Sequence, residues 1–91
     1  MIKVLKDDGR KEQLDEGKLW DSLYWPAREA EYAEEEAVEL ADQAKAKIMS
    51  WIGDHEDNVV TTEELRDRAF GILEEIDEDV AFLYEKHLDI N

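Results

Sequence analysis

Residues 3–19 read KVLKDDGRKEQLDEGKL, and the way this stretch folds governs the reading of the remainder. At its centre, Asp7-Asp8-Gly9 is a turn signal, because glycine reaches the positive φ of tight hairpin turns without a Cβ clash. Ile2 and Val4 precede the turn and Leu14 follows it, which predicts a short β-hairpin over residues 2–14. Asp15 then stands as a helix N-cap, its carboxylate able to accept from free backbone N–H groups. Charge also sets the window apart. It holds five Lys and Arg against five Asp and Glu, whereas residues 20–91 hold six against twenty-one, so the formal charge of −15 lies outside it.

Working outward, 91 residues suffice for one domain with a single modest core. Hydrophobic residues make up 43% and three are Trp, which favours a folded chain despite 41% charged residues. Cysteine is absent, which excludes disulfides, thiolate metal sites and thiol catalysis and fits a reducing, cytoplasmic compartment. No apolar run approaches the roughly 20 residues of a membrane span, and the start lacks a signal-peptide pattern. So acidic a surface repels phosphates and anionic lipid, arguing against nucleic acid and membrane as partners. The acidity suits either a high-salt cytoplasm or simple solubility, and both stay open.

Leu19, Trp20, Leu23 and Tyr24 share one side of a first helix over about residues 15–25, which Pro26 ends or kinks. A second helix over 28–52 carries a stripe of Ala33, Ala37, Leu40, Ala41, Ala44, Ile48, Trp51 and Ile52. Val59 and Val60 can add a brief third strand. Thr61 with Glu64 then fits a capping box, and Val60 with Leu65 a hydrophobic staple, opening a helix over 62–76. That helix buries Leu65, Ala69, Ile72, Leu73 and Ile76. Asp77 caps a last helix over 78–89, with Val80, Leu83, Tyr84, His87 and Leu88 inward. The expectation is an α+β chain, residues 1–91 forming a single domain without repeat or linker.

Catalytic constellations are hard to find. Ser22 and Ser50 have no adjacent His or Gly-rich elbow, and the acids at 34–36 read as a hydrated helix face. His55 sits in a polar loop and His87 at a helix rim, a weak metal signal. The loop GDHEDN (53–58) lacks the ligand spacing of a calcium loop. The reading is therefore no enzyme and no metal site. The hairpin and the following helix start can instead bring Lys6 and Lys18 together near free N–H groups, an arrangement suited to an anion. Glu12 and Asp15 can accept from a ribose or base, or hold the lysines in place. That these charges serve only solubility remains the alternative.

These residues also carry a resemblance. VLKDDGRKEQLDEGKL (4–19) resembles the opening of an ATP-cone, typically Val-x-Lys-Arg-Asp-Gly-Arg-x-Glu-x-Phe-Asp-x-x-Lys-Ile. Val4, Lys6, Asp8, Gly9, Arg10, Glu12, Asp15, Lys18 and Leu19 fall in step with it. VVTTEELRD (59–67) is similar to the family's Ile-Thr-Thr-Glu-Glu-Ile, and IDEDVAFLYEKH (76–87) to its closing Asp-x-x-Val-Ala-x-x-Tyr. ATP-cones are small regulatory domains at the start of many ribonucleotide reductases and in a repressor of the reductase genes.

The resemblance implies a four-helix bundle capped by a small sheet, binding ATP or dATP, with Mg2+, between sheet and first helix. By matching position, Lys6 and Lys18 approach the phosphates, and Glu12 and Asp15 line the ribose and phosphate end. Thr62 contacts the nucleotide from the third helix, and Val4 and Leu19 wall the base. Two positions depart from the pattern: Asp7 and Leu88 stand where the family carries basic residues. No catalytic domain and no zinc ribbon accompany the motif here. That predicts a module excised from a larger protein such as a reductase, or one acting on a protein partner in trans, with a homo-oligomer left open. Trp20, Tyr24 and Trp25 suit the communicating surface. The alternative is a degenerate cone that no longer binds nucleotide and serves as a protein-interaction domain.

Overall fold

The computed structural model describes residues 2–55 and 57–90, and near the C-terminal end the side chains as far as His87. In order, the elements are β1 (Lys3–Leu5), β2 (Lys11–Gln13), α1 (Glu16–Glu29), α2 (Glu34–Gly53), β3 (Val59–Thr61), α3 (Thr62–Ile76) and α4 (Glu78–Ile90). The chain is α+β, with four helices and a small mixed sheet in the order β2-β1-β3. β1 runs antiparallel to β2 and parallel to β3, with Val4 opposite Glu12 on one side and Val60 on the other.

The hairpin turn closes through Lys6 N–H to the Arg10 carbonyl at 2.8 Å and Gly9 N–H to the Lys6 carbonyl at 2.9 Å. Gly9 has φ of 88°, the left-handed conformation that a Cβ would strain. Asp8 locks the turn by accepting from the Arg10 backbone N–H at 3.1 Å and from its Nε at 2.7 Å.

Helix α1 differs from expectation. It runs through Pro26 to Glu29 rather than stopping at Trp25. Proline removes one helical N–H, but Pro26 and Ala27 are fully buried, and the ladder resumes with Ala30 N–H on the Pro26 carbonyl at 3.0 Å. Burial of those two residues outweighs a single missing bond. Glu31, at φ of 71°, makes the turn instead. As a result α2 begins at Glu34 rather than near residue 28, and Ala33, expected on its buried stripe, is an exposed flanking residue.

The core gathers Leu23, Ile48, Ile52, Leu73, Val60 and Val80, each fully buried. Burying a side chain of this size stabilises by about 1.5–3 kcal/mol. α1 packs against α2 and α4, and α3 against the same two helices. Ala37, Ala41, Ala44, Ala69 and Ala81 let the helices approach closely. Trp51, Leu65, Ile76 and Leu83 are half-buried at the rim of this core, and the inward placement expected for Leu88 lies outside the described residues. No helix among the described residues is long and apolar enough to cross a membrane.

Polar ties join elements distant in sequence. Trp20 Nε1 donates to Asp42 Oδ1 at 2.8 Å, His87 Nε2 meets Glu29 Oε2 at 2.5 Å, and Tyr32 donates its hydroxyl to Asp77 Oδ2 at 2.5 Å. Asp77 also caps α4, its Oδ1 accepting from Asp79 N–H at 2.8 Å. Chiefly through the bond to Asp77, and then through burial, the Tyr32 phenol is pushed up to about 12. The same bond is the main reason the Asp77 carboxyl lies below its ordinary value. The Asp77 contribution is therefore present above the ordinary carboxyl pKa of 3.8 and lost as pH falls through the lowered folded value. That of Tyr32 is complete below its ordinary 10.0 and lost as pH rises to about 12. Tyr32→Phe is expected to cost about 1 kcal/mol at neutral pH. Urea denaturation across the pH range should show both the acid and the alkaline limb of stability flattened in this variant.

Candidate functional site

Residues opposite one another in a ladder share a face, as do residues two apart in a strand. Val4 and Glu12 are paired, and Lys6 follows Val4 by two, so all three belong to one face of the sheet. The start of α1 and the start of α3 lie against that face. Between them is an open cleft of about 230 Å³. Val4, Lys6, Glu12, Asp15, Lys18, Leu19 and Thr62 all line it. The seven residues singled out from the sequence thus come together from β1, β2, α1 and α3.

Local chemistry fixes each one. Asp15 caps α1, its Oδ1 accepting from the Lys18 backbone N–H at 3.0 Å, so one of the helix's free donors is already taken by a carboxylate. Lys6 Nζ lies 3.8 Å from Glu12 Oε2, while Arg10 Nη1 lies 3.6 Å from Glu12 Oε1. Such exposed pairs stabilise little and exchange partners readily. Thr62 Oγ1 donates to the Leu5 carbonyl at 3.4 Å, tying the first turn of α3 to β1. Next to it, Thr61 Oγ1 accepts from Glu64 N–H and Glu64 Oε1 from Thr61 N–H, both at 3.0 Å. The Thr61 backbone N–H, and then its hydroxyl, hold the Glu64 carboxyl below its ordinary value.

The structure adds residues that sequence reasoning missed. Arg66, Leu65, Ser22, Gln13, Leu14 and Tyr84 also line the cleft. Helical spacing held the signal for two of them, since Arg66 follows Thr62 by four and Ser22 follows Lys18 by four. Tyr84 is the Tyr of the closing motif Asp-x-x-Val-Ala-x-x-Tyr, yet nothing local placed it at the cleft, because α4 reaches the cleft only through packing. Three cations (Lys6, Lys18, Arg66) face two carboxylates (Glu12, Asp15) there, a locally positive balance in a chain of charge −15. Asp7 is exposed in the turn and does not line the cleft, so its negative charge does not enter the site directly.

A family model described as the ATP cone domain matches residues 2–84. The chain belongs to that family. Membership makes this ATP cone a nucleotide-binding regulatory module in general terms, of a family that takes ATP or dATP as effectors and is not itself catalytic. No curated protein matches the chain. The matched span takes in every element that lines the cleft, from β1 to Tyr84 of α4.

Elsewhere on this cone, Trp20 stacks on Tyr24 at 4.8 Å and Trp25 meets Tyr24 edge-on at 4.9 Å. Trp25 is 58% exposed and Phe82 63%. His55 packs edge-on against Trp51 at 4.6 Å, its Nδ1 lying 3.1 Å from the Trp51 carbonyl. Among the described residues no group of three His, Cys, Asp or Glu side chains could hold a metal ion. Thr61→Ala removes the oxygen that caps α3 and is expected to cost about 1 kcal/mol, read from chemical denaturation.

Proposed function

We propose that this cone binds an adenine nucleotide in the cleft between the sheet and α1, and that occupancy changes its contacts with a protein it regulates. The reading carries the four helices as a bundle beneath the sheet, with the nucleotide at the sheet end. Supporting it above all is the convergence of Val4, Lys6, Glu12, Asp15, Lys18, Leu19 and Thr62 on one cleft whose balance is positive.

The residues present fit such a ligand. Lys6 and Lys18 meet the phosphates, joined by Arg66 one turn beyond Thr62 on α3. Val4 and Leu19, both nearly buried, offer an apolar wall to the base. Glu12 and Asp15 suit hydroxyls of the ribose, since a carboxylate accepts from a hydroxyl and repels a phosphate. On binding, the phosphates replace the Glu12 carboxylate beside Lys6. Mg2+ would enter with the phosphates and lower the charge that so acidic a chain must accept. The regulated protein is a larger one such as a ribonucleotide reductase, attached to the cone or met in trans.

A second reading is favoured by the exposed Trp25 and Phe82: a cone that has lost its nucleotide and acts only through protein contacts. Titration with ATP and dATP, with and without Mg2+, separates the two by tryptophan fluorescence and melting temperature. Ligand at a hundred times its Kd should stabilise the fold by about 2.7 kcal/mol. Lys6→Ala and Lys18→Ala should each weaken binding about tenfold or more while melting close to the parent without ligand. No binding up to millimolar nucleotide would sink the effector reading and leave the interaction module.

A further inference from the structure

Three hydroxyls line the cleft, and two have already committed their protons. Ser22 Oγ donates to the Leu19 carbonyl at 2.6 Å and Thr62 Oγ1 to the Leu5 carbonyl at 3.4 Å. The third is Tyr84, only 4% exposed, whose hydroxyl makes no hydrogen bond to another described residue. No side-chain nitrogen or oxygen among those residues is both sealed from solvent and unpartnered, so this hydroxyl keeps an opening. The cleft is the opening that the Tyr84 side chain lines. A nearly buried donor that no protein acceptor takes up is available to a ligand atom that enters the opening and supplies an acceptor.

Its surroundings indicate the kind of acceptor. Burial pushes the phenol up to about 12, with the Arg66 guanidinium pulling weakly the other way. At neutral pH the group is therefore a protonated donor, and Arg66 is near enough to act on it through space. A donor beside a cation favours an oxygen bearing negative charge over a ring nitrogen or an amide. Position agrees with chemistry: Lys18 and Ser22 on α1, and Thr62 and Arg66 on α3, form two one-turn steps along the cleft, and Tyr84 joins them from α4.

We infer that the Tyr84 hydroxyl donates a hydrogen bond to a phosphate oxygen of the bound nucleotide, beside Arg66, and so makes α4 part of the site. This rests on the cleft being the nucleotide site. It deepens that reading by naming the helix through which occupancy is felt, since α4 also presents the exposed Phe82 to solvent.

The test is Tyr84→Phe in the 91-residue chain, titrated with ATP and with adenosine beside the parent protein. The variant keeps the ring and loses only an unpartnered hydroxyl, so without ligand its melting temperature should equal the parent's or exceed it. ATP affinity should fall about fivefold to tenfold, with adenosine affinity unchanged. Equal ATP affinity in parent and variant would overturn the inference and leave the nucleotide site standing. A loss of equal size for adenosine would overturn the phosphate assignment. A parent chain that binds no nucleotide at all would remove both the site and this contact.

Discussion

Strand β1 is three residues long and is paired on both edges, antiparallel to β2 and parallel to β3. Because side chains alternate along a strand, this double pairing decides which face Val4 and Lys6 occupy. A slip of one residue would turn both away from the helices and replace them with Leu5. So short a ladder is weak alone, and the helices beneath hold its register. Val4 and Val60, opposite one another in the sheet, are 6% and 0% exposed, and their burial in the helical core is lost with any shift. Thr62 adds a direct tie by donating to the Leu5 carbonyl from the first turn of α3. The cleft exists because β1 is pinned in this way: its lining residues come from elements far apart in sequence that all meet at this strand.

Electrostatics sets a second condition. A chain of charge −15 repels nucleotides at long range, and that repulsion is screened within about 10 Å at 0.1 M salt. Binding must then be decided by contacts at close quarters. In the proposed reading Lys6, Lys18 and Arg66 supply them, and a phosphate takes the place of Glu12 in its exposed pair with Lys6, 3.8 Å apart. The acidic residues elsewhere face solvent, where they keep a chain with exposed Trp25 and Phe82 from associating indiscriminately.

The passage of α1 through Pro26 links these features. It lengthens the helix to Glu29, where the carboxylate meets His87, and carries the chain round Glu31 to place Tyr32 against Asp77. The first tie fastens the C-terminal end of α1 to α4, the second fastens the turn after α1 to the cap of α4, and the N-terminal part of α1 lines the cleft. α1 therefore lines the cleft with Lys18, Leu19 and Ser22 near its start and is tied to α4 through Glu29 at its end.

Much of this was legible in the sequence, and the physical reason is that the signals are local. Gly9 marked the hairpin because only a left-handed residue closes that turn, Thr61 with Glu64 marked the start of α3 through reciprocal capping, and helical spacing picked out most of the buried stripe of α2. The seven cleft residues were chosen from motif position, and the tertiary structure brings them to one place. What stayed hidden depends on packing between distant segments. Pro26 argued for a break, yet its burial outweighs a missing hydrogen bond, so α1 continues and α2 starts later. Arg66 was not singled out, and Tyr84 was expected inward on the last helix; packing of α3 and α4 brings both to the cleft. Sequence alone determined the hairpin turn, the caps at Asp15, Thr61 and Asp77, and the chemistry of the opening segment. Tertiary structure decided where helices end and which side chains of α3 and α4 reach the cleft, because both depend on surfaces that only meet once the chain has folded.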